Sequence, residues 1–177
     1  MILDLQHIDP QRIAAIDSSG AELCYAEISQ LSKHITSLIP TRSLCFLLVE
    51  NNVGGIAWVM SMLDSRQLVP LILNVKTEDT LYQQLLHTYQ PTYICAPNHF
   101  IVQGEVVDCQ YEYTLTKISD TTPTLYGELS HLLPTSGSTG SPKLVRHKYG
   151  NIEAAGLNIS TFFELKESDR PLMVLPL

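Results

Sequence analysis

The chain has 177 residues, enough for one domain with a hydrophobic core and too few for two large domains. Hydrophobic residues make up 45% and charged residues 16% of the chain, which is typical of a globular protein and not of a disordered one. The formal net charge of −7 argues against nucleic-acid and anionic-membrane partners, because phosphate contacts need clustered lysine and arginine.

Helical and strand patterns alternate along the first half of the chain. Apolar residues at helical spacing predict three helices, over 25–39, 53–66 and 77–89. Continuous apolar runs predict three buried strands, over 44–49, 68–73 and 92–96. Thr77 is the expected cap of the third helix, and Pro70 is an unusual residue for a strand. This order is typical of right-handed crossovers and predicts an α/β fold, with a mostly parallel sheet and flanking helices.

The second half of the chain begins with antiparallel signals. Alternating residues at 101–108 and 111–115 predict two strands that pair antiparallel, with Tyr111 and Tyr113 on one face. A polar connection follows at 119–124, where a surface stretch is expected. These segments add some antiparallel strands to the predicted sheet.

An apolar lead-in and a further helix flank a polar loop near the end of the chain. The lead-in spans 129–134, and Asn151 is the expected cap of the helix. The apolar residues of that helix are Ile152, Ala155, Ile159 and Phe162. Another apolar strand is predicted to begin at 171–177.

The polar loop at 135–143 carries the strongest chemical signal. It reads Thr-Ser-Gly-Ser-Thr-Gly-Ser-Pro-Lys. Gly137 and Gly140 let backbone N–H groups turn toward a ligand, and Lys143 adds a mobile positive charge for phosphate oxygens. A Ser/Gly-rich linker has a similar composition, but the Pro-Lys pair after the glycines favours a phosphate-binding loop. The spacing of the two glycines excludes a Walker A loop.

On these residues the chain resembles the adenylate-forming superfamily of acyl-CoA synthetases, peptide-synthetase adenylation domains and luciferases. The signature of that superfamily is an apolar lead-in, Thr-Ser-Gly-Ser-Thr-Gly, any residue and Pro-Lys, which 135–143 matches throughout. Weaker similarities lie at 23–28 and at 62–71, where the small residues of the family are missing. The resemblance implies that seven residues contact the ATP phosphates: Thr135, Ser136, Gly137, Ser138, Thr139, Gly140 and Lys143.

The resemblance also implies a reaction. It indicates the N-terminal portion of an ATP-dependent carboxylic acid ligase, with ATP and Mg²⁺ as cofactors. Such ligases form an acyl-adenylate and pass the acyl group to a thiol, of CoA or of the phosphopantetheine on a carrier protein. The sequence selects neither the acid nor the acceptor.

The resemblance covers only the front of such an enzyme. Residues 1–177 are expected to form a single N-terminal subdomain of an AMP-binding (adenylation) domain, truncated at its C-terminal end. The segment 174–177 is similar to the start of the next motif of the family. The adenine, ribose and lysine motifs are missing, so we expect no catalytic residue here and no turnover by this chain alone.

Two other functions stay open, a non-catalytic nucleotide- or phosphate-binding module and an interaction domain whose loop is only a turn.

His147 is interpreted as a solvated surface histidine with no role. The four widely spaced cysteines are interpreted as reduced and structural, and no metal site is predicted. The cytoplasm is the expected location, because no leader-like or membrane-spanning run is found. Apolar surface left where the strand at 171–177 is cut favours self-association.

Overall fold

The computed structural model describes residues 5–135 and 143–173. A 3₁₀ turn at Leu5–His7 opens this part of the chain. The helices are α1 (Tyr25–Leu38), α2 (Val53–Ser65), α3 (Asp79–Tyr89) and α4 (Tyr149–Phe162). The strands are β1 (Ile13–Ile16), β2 (Glu22–Cys24), β3 (Ser43–Val49), β4 (Leu68–Asn74), β5 (Tyr93–Pro97), β6 (Glu105–Gln110), β7 (Tyr113–Lys117), β8 (Leu129–Pro134) and β9 (Leu144–Lys148).

Strands β3 to β9 form one mixed sheet in the order β6-β7-β5-β3-β4-β8-β9. The four central strands β5, β3, β4 and β8 run parallel to one another. The outer strands β6, β7 and β9 pair antiparallel. Strands β1 and β2 form a separate antiparallel hairpin. The α/β fold class is therefore confirmed, as are the flanking helices and the antiparallel strands.

Strand β3 is the centre of the core, and every one of its residues is buried. Cys45, Leu47 and Val49 pack with residues of α1 and α2. Leu44, Phe46 and Leu48 face the other way and pack with residues of α3. Burying each large apolar side chain stabilises the fold by about 1.5–3 kcal/mol. The continuous apolar run therefore reflects a strand with a helical layer on each side.

The structure tests two sequence predictions in the first half of the chain, the cap of α3 and the strand that contains Pro70. Helix α3 begins at Asp79 with Glu78 as its N-cap residue, so the prediction that Thr77 caps it is wrong. The N–H of Thr77 instead donates to the carbonyl of Asn74 in a turn. Pro70 does lie in a strand, opposite Cys45 of β3. On the other side of β4 the pairing with β8 is at Leu71, which leaves the proline outside it.

The β6–β7 hairpin confirms the antiparallel pairing but shifts both strands. Tyr111 and Glu112 form its turn, with φ of 53° and 61°, so Tyr111 does not share a strand face with Tyr113. The ring of Tyr113 is fully buried against α2 at Gly54. A Cβ on Gly54 would lie 2.8 Å from that ring and would also overlap the Tyr111 carbonyl. This contact requires a glycine in α2.

Helix α4 is anchored at its first residue and exposed along most of its length. Tyr149 is buried and starts the helix, with Lys148 as N-cap, so the prediction that Asn151 caps it is wrong. The Tyr149 ring lies under the guanidinium of Arg66, 4.3 Å from the ring centroid. Residues 171–173 have no regular structure, and 174–177 lie outside the described residues.

Candidate functional site

The predicted phosphate loop joins β8 to β9. The two strands pair antiparallel, and their last pair before the loop is Pro134 with Leu144. Of the predicted site residues, Thr135 and Lys143 are described. The other five lie outside the described residues: Ser136, Gly137, Ser138, Thr139 and Gly140.

Thr135 and Lys143 close the base of this loop. The N–H of Thr135 donates to the carbonyl oxygen of Lys143 at 3.0 Å. The hydroxyl Oγ1 of Thr135 donates to the same oxygen at 3.1 Å. Both residues are exposed, so the Lys143 ammonium sits on a flexible stem beside the base of the loop. Both hydrogen-bond donors of Thr135 therefore join the two ends of the loop.

Thr135 and Lys143, the described ends of the loop, lie at the carboxyl end of the parallel strand β8. Strand β8 is parallel to β4, which is parallel to β3, so the ends of all three strands meet at this edge. In open α/β sheets, ligands bind in the crevice outside the carboxyl ends of the strands. The topology thus brings the loop to the edge where this fold class binds ligands.

A polar cavity of about 240 Å³ opens near the ends of β3 and β5. Its lining residues are Glu50, Asn52, Pro97, Asn98, His99 and Glu112. The Nε2 atom of His99 lies 3.6 Å from Oε1 of Glu50. The two carboxylates disfavour a phosphate, because like charges repel. The sequence analysis missed this cavity, although Asn98 and His99 directly follow a predicted buried strand.

A larger cavity of about 540 Å³ lies against α1 and the N-terminal turn. Asp64 and Lys33 are among its lining residues, and Ser32 Oγ donates to Oδ2 of Asp64 at 2.7 Å. None of the predicted phosphate-binding residues that the structure describes lines it. Size alone therefore does not identify the candidate site.

Two histidines face each other on the stem of the β8–β9 hairpin. His131 lies directly opposite His147, and their rings stack with centroids 4.4 Å apart and planes 1° apart. Both side chains are half-buried, so the prediction that His147 is a solvated surface histidine is wrong. Burial, and to a lesser degree the neighbouring His147, lowers the pKa of His131 to about 4. The signal that could have revealed the pair is that both histidines are equally far from the predicted turn.

The open end of the hairpin is held by Arg42. Its guanidinium donates to the carbonyls of Tyr126 at 2.8 Å and Arg66 at 3.0 Å, and also to that of Leu129. One side chain therefore fixes the C-terminal end of α2 and the start of β8 to the same point. Sequence reasoning gave no role to Arg42, because its partners are backbone carbonyls far along the chain.

Cysteines and metal ligands do not form a cluster in the described part of the chain. All four cysteines are free thiols, two of them buried. No group of three or more histidine, cysteine, aspartate or glutamate side chains is arranged to hold a metal ion among residues 5–135 and 143–173. Within the same ranges, no helix has both the length and the apolar character needed to cross a membrane.

Comparison with known proteins gives matches among solved structures. No protein-family model and no curated protein matches the chain. The o-succinylbenzoate CoA synthetase MenE from Bacillus subtilis, in complex with the acyl-adenylate OSB-AMP, matches with a TM-score of 0.75 and 21% identity. That match covers 99% of this chain and 49% of the synthetase. The same enzyme in complex with ATP and magnesium matches with a TM-score of 0.72 and 19% identity, covering 99% and 50%.

A second enzyme gives the same result. Apo MatB from Rhodopseudomonas palustris matches with a TM-score of 0.71 and 15% identity, covering 97% of this chain and 39% of MatB. The chain therefore has the fold of the part of the MenE and MatB structures that it matches, and it spans about half the length of the MenE structure.

Proposed function

We propose that this chain is the N-terminal portion of an ATP-dependent carboxylic acid ligase. The observation that carries the proposal is the complete match of 135–143 to the phosphate-binding signature, on a loop that leaves the carboxyl edge of an adenylate-forming fold. The fold similarity does not depend on close sequence similarity, because it comes at 15–22% identity.

The loop is proposed to bind the ATP phosphates. Gly137 and Gly140 would let backbone N–H groups approach phosphate oxygens, and the hydroxyls of Ser136, Ser138 and Thr139 would add donors. The ammonium of Lys143 would neutralise phosphate charge. Thr135 is proposed to contact the phosphates as well, and its bonds to the Lys143 carbonyl keep the two ends of the loop together.

In the proposed reaction, a carboxylate oxygen attacks the α-phosphorus of ATP. The bond to the β-phosphate oxygen breaks, so an acyl-adenylate forms and pyrophosphate leaves. Mg²⁺, when bound, would offset the phosphate charge. A thiol, of CoA or of a carrier protein's phosphopantetheine, then takes the acyl group and releases AMP. The part proposed for this chain is to hold and neutralise the phosphates.

The remaining parts of the site are proposed to come from further polypeptide. Residues 1–177 would form one subdomain of an AMP-binding domain, and the MenE structure, about twice as long as the match, supports this. The acid, adenine and ribose contacts and the catalytic lysine would then lie outside the chain. We expect residues 1–177 alone to give no turnover, and we expect the longer protein to be cytoplasmic.

Self-association of the 177-residue chain is part of the same proposal. Apolar side chains of α4 and of the segment after it are exposed: Leu157, Ile159, Phe162, Phe163, Leu165, Leu172 and Met173. Large exposed apolar surface is normally covered by protein. Without further polypeptide, a second copy would cover it.

Pyrophosphate release from the longer polypeptide tests the function. The chain is expressed with the coding sequence that follows residue 177, and a panel of carboxylic acids is supplied with ATP and Mg²⁺. Lys143→Met should lower the rate of pyrophosphate release by about 10²-fold or more, since it removes a charge that opposes phosphate charge. Lys148→Met is the matched control, because it removes the same charge from the other end of β9 and should leave the rate within about twofold.

The outcomes separate the proposed functions. Acid-dependent pyrophosphate release that needs Lys143 supports the ligase. ATP binding that needs Lys143, without pyrophosphate release for any acid, indicates a non-catalytic nucleotide-binding module. Neither binding nor release would contradict both and leave the interaction domain.

A further inference from the structure

The cavity of about 540 Å³ against α1 has the size and the lining of a small-molecule site. Such sites measure about 300–1,000 Å³ and combine apolar walls with a few polar groups. Leu5 and Ile8, which precede β1, supply apolar surface. Helix α1 supplies Tyr25, Ser29 and Lys33, which are spaced four residues apart and therefore share one face of the helix.

Asp64 of α2 brings an unsatisfied acceptor to the same cavity. Ser32 Oγ donates to its Oδ2 at 2.7 Å, but Oδ1 is buried and has no donor among the residues that the structure describes. Asp64 also takes part in none of the ion pairs formed within residues 5–135 and 143–173. A buried carboxylate oxygen without a donor is costly, because it has lost its water and gained no hydrogen bond in exchange. A bound molecule with an N–H donor would satisfy this oxygen.

Lys33 adds a positive charge to the cavity. Its side chain is exposed, and within the same described ranges it belongs to no ion pair, with Asp64 or with any other acid. Because the ammonium sits on a flexible four-carbon stem, it can follow an anionic group at the edge of the cavity. The cavity thus carries one negative and one positive group that do not neutralise each other.

We propose that this cavity binds a zwitterion with an apolar body, which is the chemistry of an apolar α-amino acid. The ammonium of the ligand donates to Oδ1 of Asp64, and its carboxylate accepts from Lys33. A small rotation of the Asp64 carboxylate about its last torsion, which is broad for aspartate, brings Oδ1 to the cavity. The apolar side chain of the ligand packs against Leu5 and Ile8, and the Ser29 hydroxyl offers a further acceptor to the ammonium.

Both charges of the ligand contribute to binding. An amine without a carboxylate places its charge near Lys33 with nothing to offset the repulsion. An acid without an amine leaves Oδ1 of Asp64 without a donor and adds a like charge to the cavity. The inference stands independently of the proposed ligase function, because none of the predicted phosphate-binding residues that the structure describes lines this cavity.

Calorimetric titration of the 177-residue chain with L-phenylalanine, in the absence of ATP and Mg²⁺, tests the proposal. Two analogues each lack one charge, since 2-phenylethylamine has no carboxylate and 3-phenylpropanoate has no ammonium. We expect L-phenylalanine to bind at one site per chain. The acid should bind at least about tenfold more weakly, because it loses the contact with the buried Asp64 oxygen. The amine should bind at least about threefold more weakly, because it loses only the exposed Lys33.

Two substitutions should change which of the three molecules is preferred. Asp64→Asn should weaken binding of L-phenylalanine by about tenfold or more without weakening binding of 3-phenylpropanoate. Lys33→Met should weaken binding of L-phenylalanine by about threefold or more without weakening binding of 2-phenylethylamine. A merely structural effect would instead weaken all three. Asp120→Asn and Lys76→Met are the matched controls, because both residues are exposed and lie outside the cavity lining, and both variants should keep the full affinity.

Circular dichroism checks the folding of each variant. If Asp64→Asn does not fold, the Lys33→Met variant at an exposed position decides. No binding of L-phenylalanine would mean that solvent alone fills the cavity and would overturn the proposal. Equal affinity for either singly charged analogue, unchanged affinity in Lys33→Met, or loss of affinity in Lys76→Met would also overturn it.

Discussion

Replacing Arg42 by methionine should loosen the hairpin that carries the predicted phosphate loop. Methionine keeps much of the apolar stem of arginine but removes the guanidinium that donates to the carbonyls of Arg66, Tyr126 and Leu129. Leu129 is 7% exposed, so its carbonyl would lose a partner in a region with little water to replace it. The start of β8 would then be held only by its pairing within the sheet.

The loss in the free energy of unfolding can be worked out from these three hydrogen bonds. A hydrogen bond from a charged donor contributes about 1.5–3 kcal/mol when buried, and an orphaned buried carbonyl costs about 1–3 kcal/mol. Arg42 is half-buried, and water can replace part of what is lost at Tyr126 and Arg66. We therefore expect the free energy of unfolding to fall by about 2–3 kcal/mol. For a chain of this length that corresponds to a lower Tm by about 4–12 °C.

Urea denaturation with an unchanged m value measures this loss. Arg42→Lys should recover less than half of it, because an ammonium cannot reach three carbonyls in the planar geometry of a guanidinium. Arg170→Met is the control, since among the described residues Arg170 bonds the nearby carbonyls of Glu167 and Asp169, and should change stability by less than about 0.5 kcal/mol. A loss below about 0.5 kcal/mol in Arg42→Met, or full recovery in Arg42→Lys, would refute the reasoning.

Three further outcomes follow from the structure. Because the pKa of His131 is about 4 in the folded chain and near 6.5 when unfolded, the unfolded state binds more protons between these values. Stability should therefore fall by about 1–2 kcal/mol as the pH drops from 6.5 to 4, less than a fully buried group would give, and His131→Gln should flatten this dependence in urea titrations. Gly54→Ala should lower Tm clearly, since its Cβ meets the buried Tyr113 ring, whereas Gly127→Ala meets nothing and should not. In sedimentation velocity, Phe162→Lys should shift the chain toward monomer, whereas Asn158→Lys, also exposed on α4, should not; equal effects would contradict an apolar contact.

Much of the fold follows from local apolar patterns. Strand β3 is continuous in apolar residues because it is covered on both faces, and helix α2 follows directly from its spacing. The phosphate-binding role of the loop at 135–143 stays a prediction, made from the chemistry that phosphate binding requires of its glycines and lysine rather than from packing. These features depend on residues close together in the sequence.

Features that depend on distant partners could not be predicted in this way. Tyr111 and Glu112 adopt positive φ without glycine or asparagine in the turn. Helix α4 begins two residues before the polar residue that sequence reasoning expected as its cap, at Tyr149, which lies under Arg66 from α2's C-terminal end. The histidine pair could have been found by counting residues outward from both ends of the predicted loop. The stacking of the two rings, however, depends on the register shift between β8 and β9 beside Ser130.

Acid-dependent exchange of pyrophosphate into ATP tests the central claim most directly. The chain is expressed with all the coding sequence that follows residue 177, and exchange is compared among wild type, Lys143→Met and Lys148→Met. The ligase proposal predicts exchange that requires one class of carboxylic acid, is lost in Lys143→Met and is kept in Lys148→Met. Absence of exchange with every acid, or exchange that is indifferent to Lys143, would contradict it.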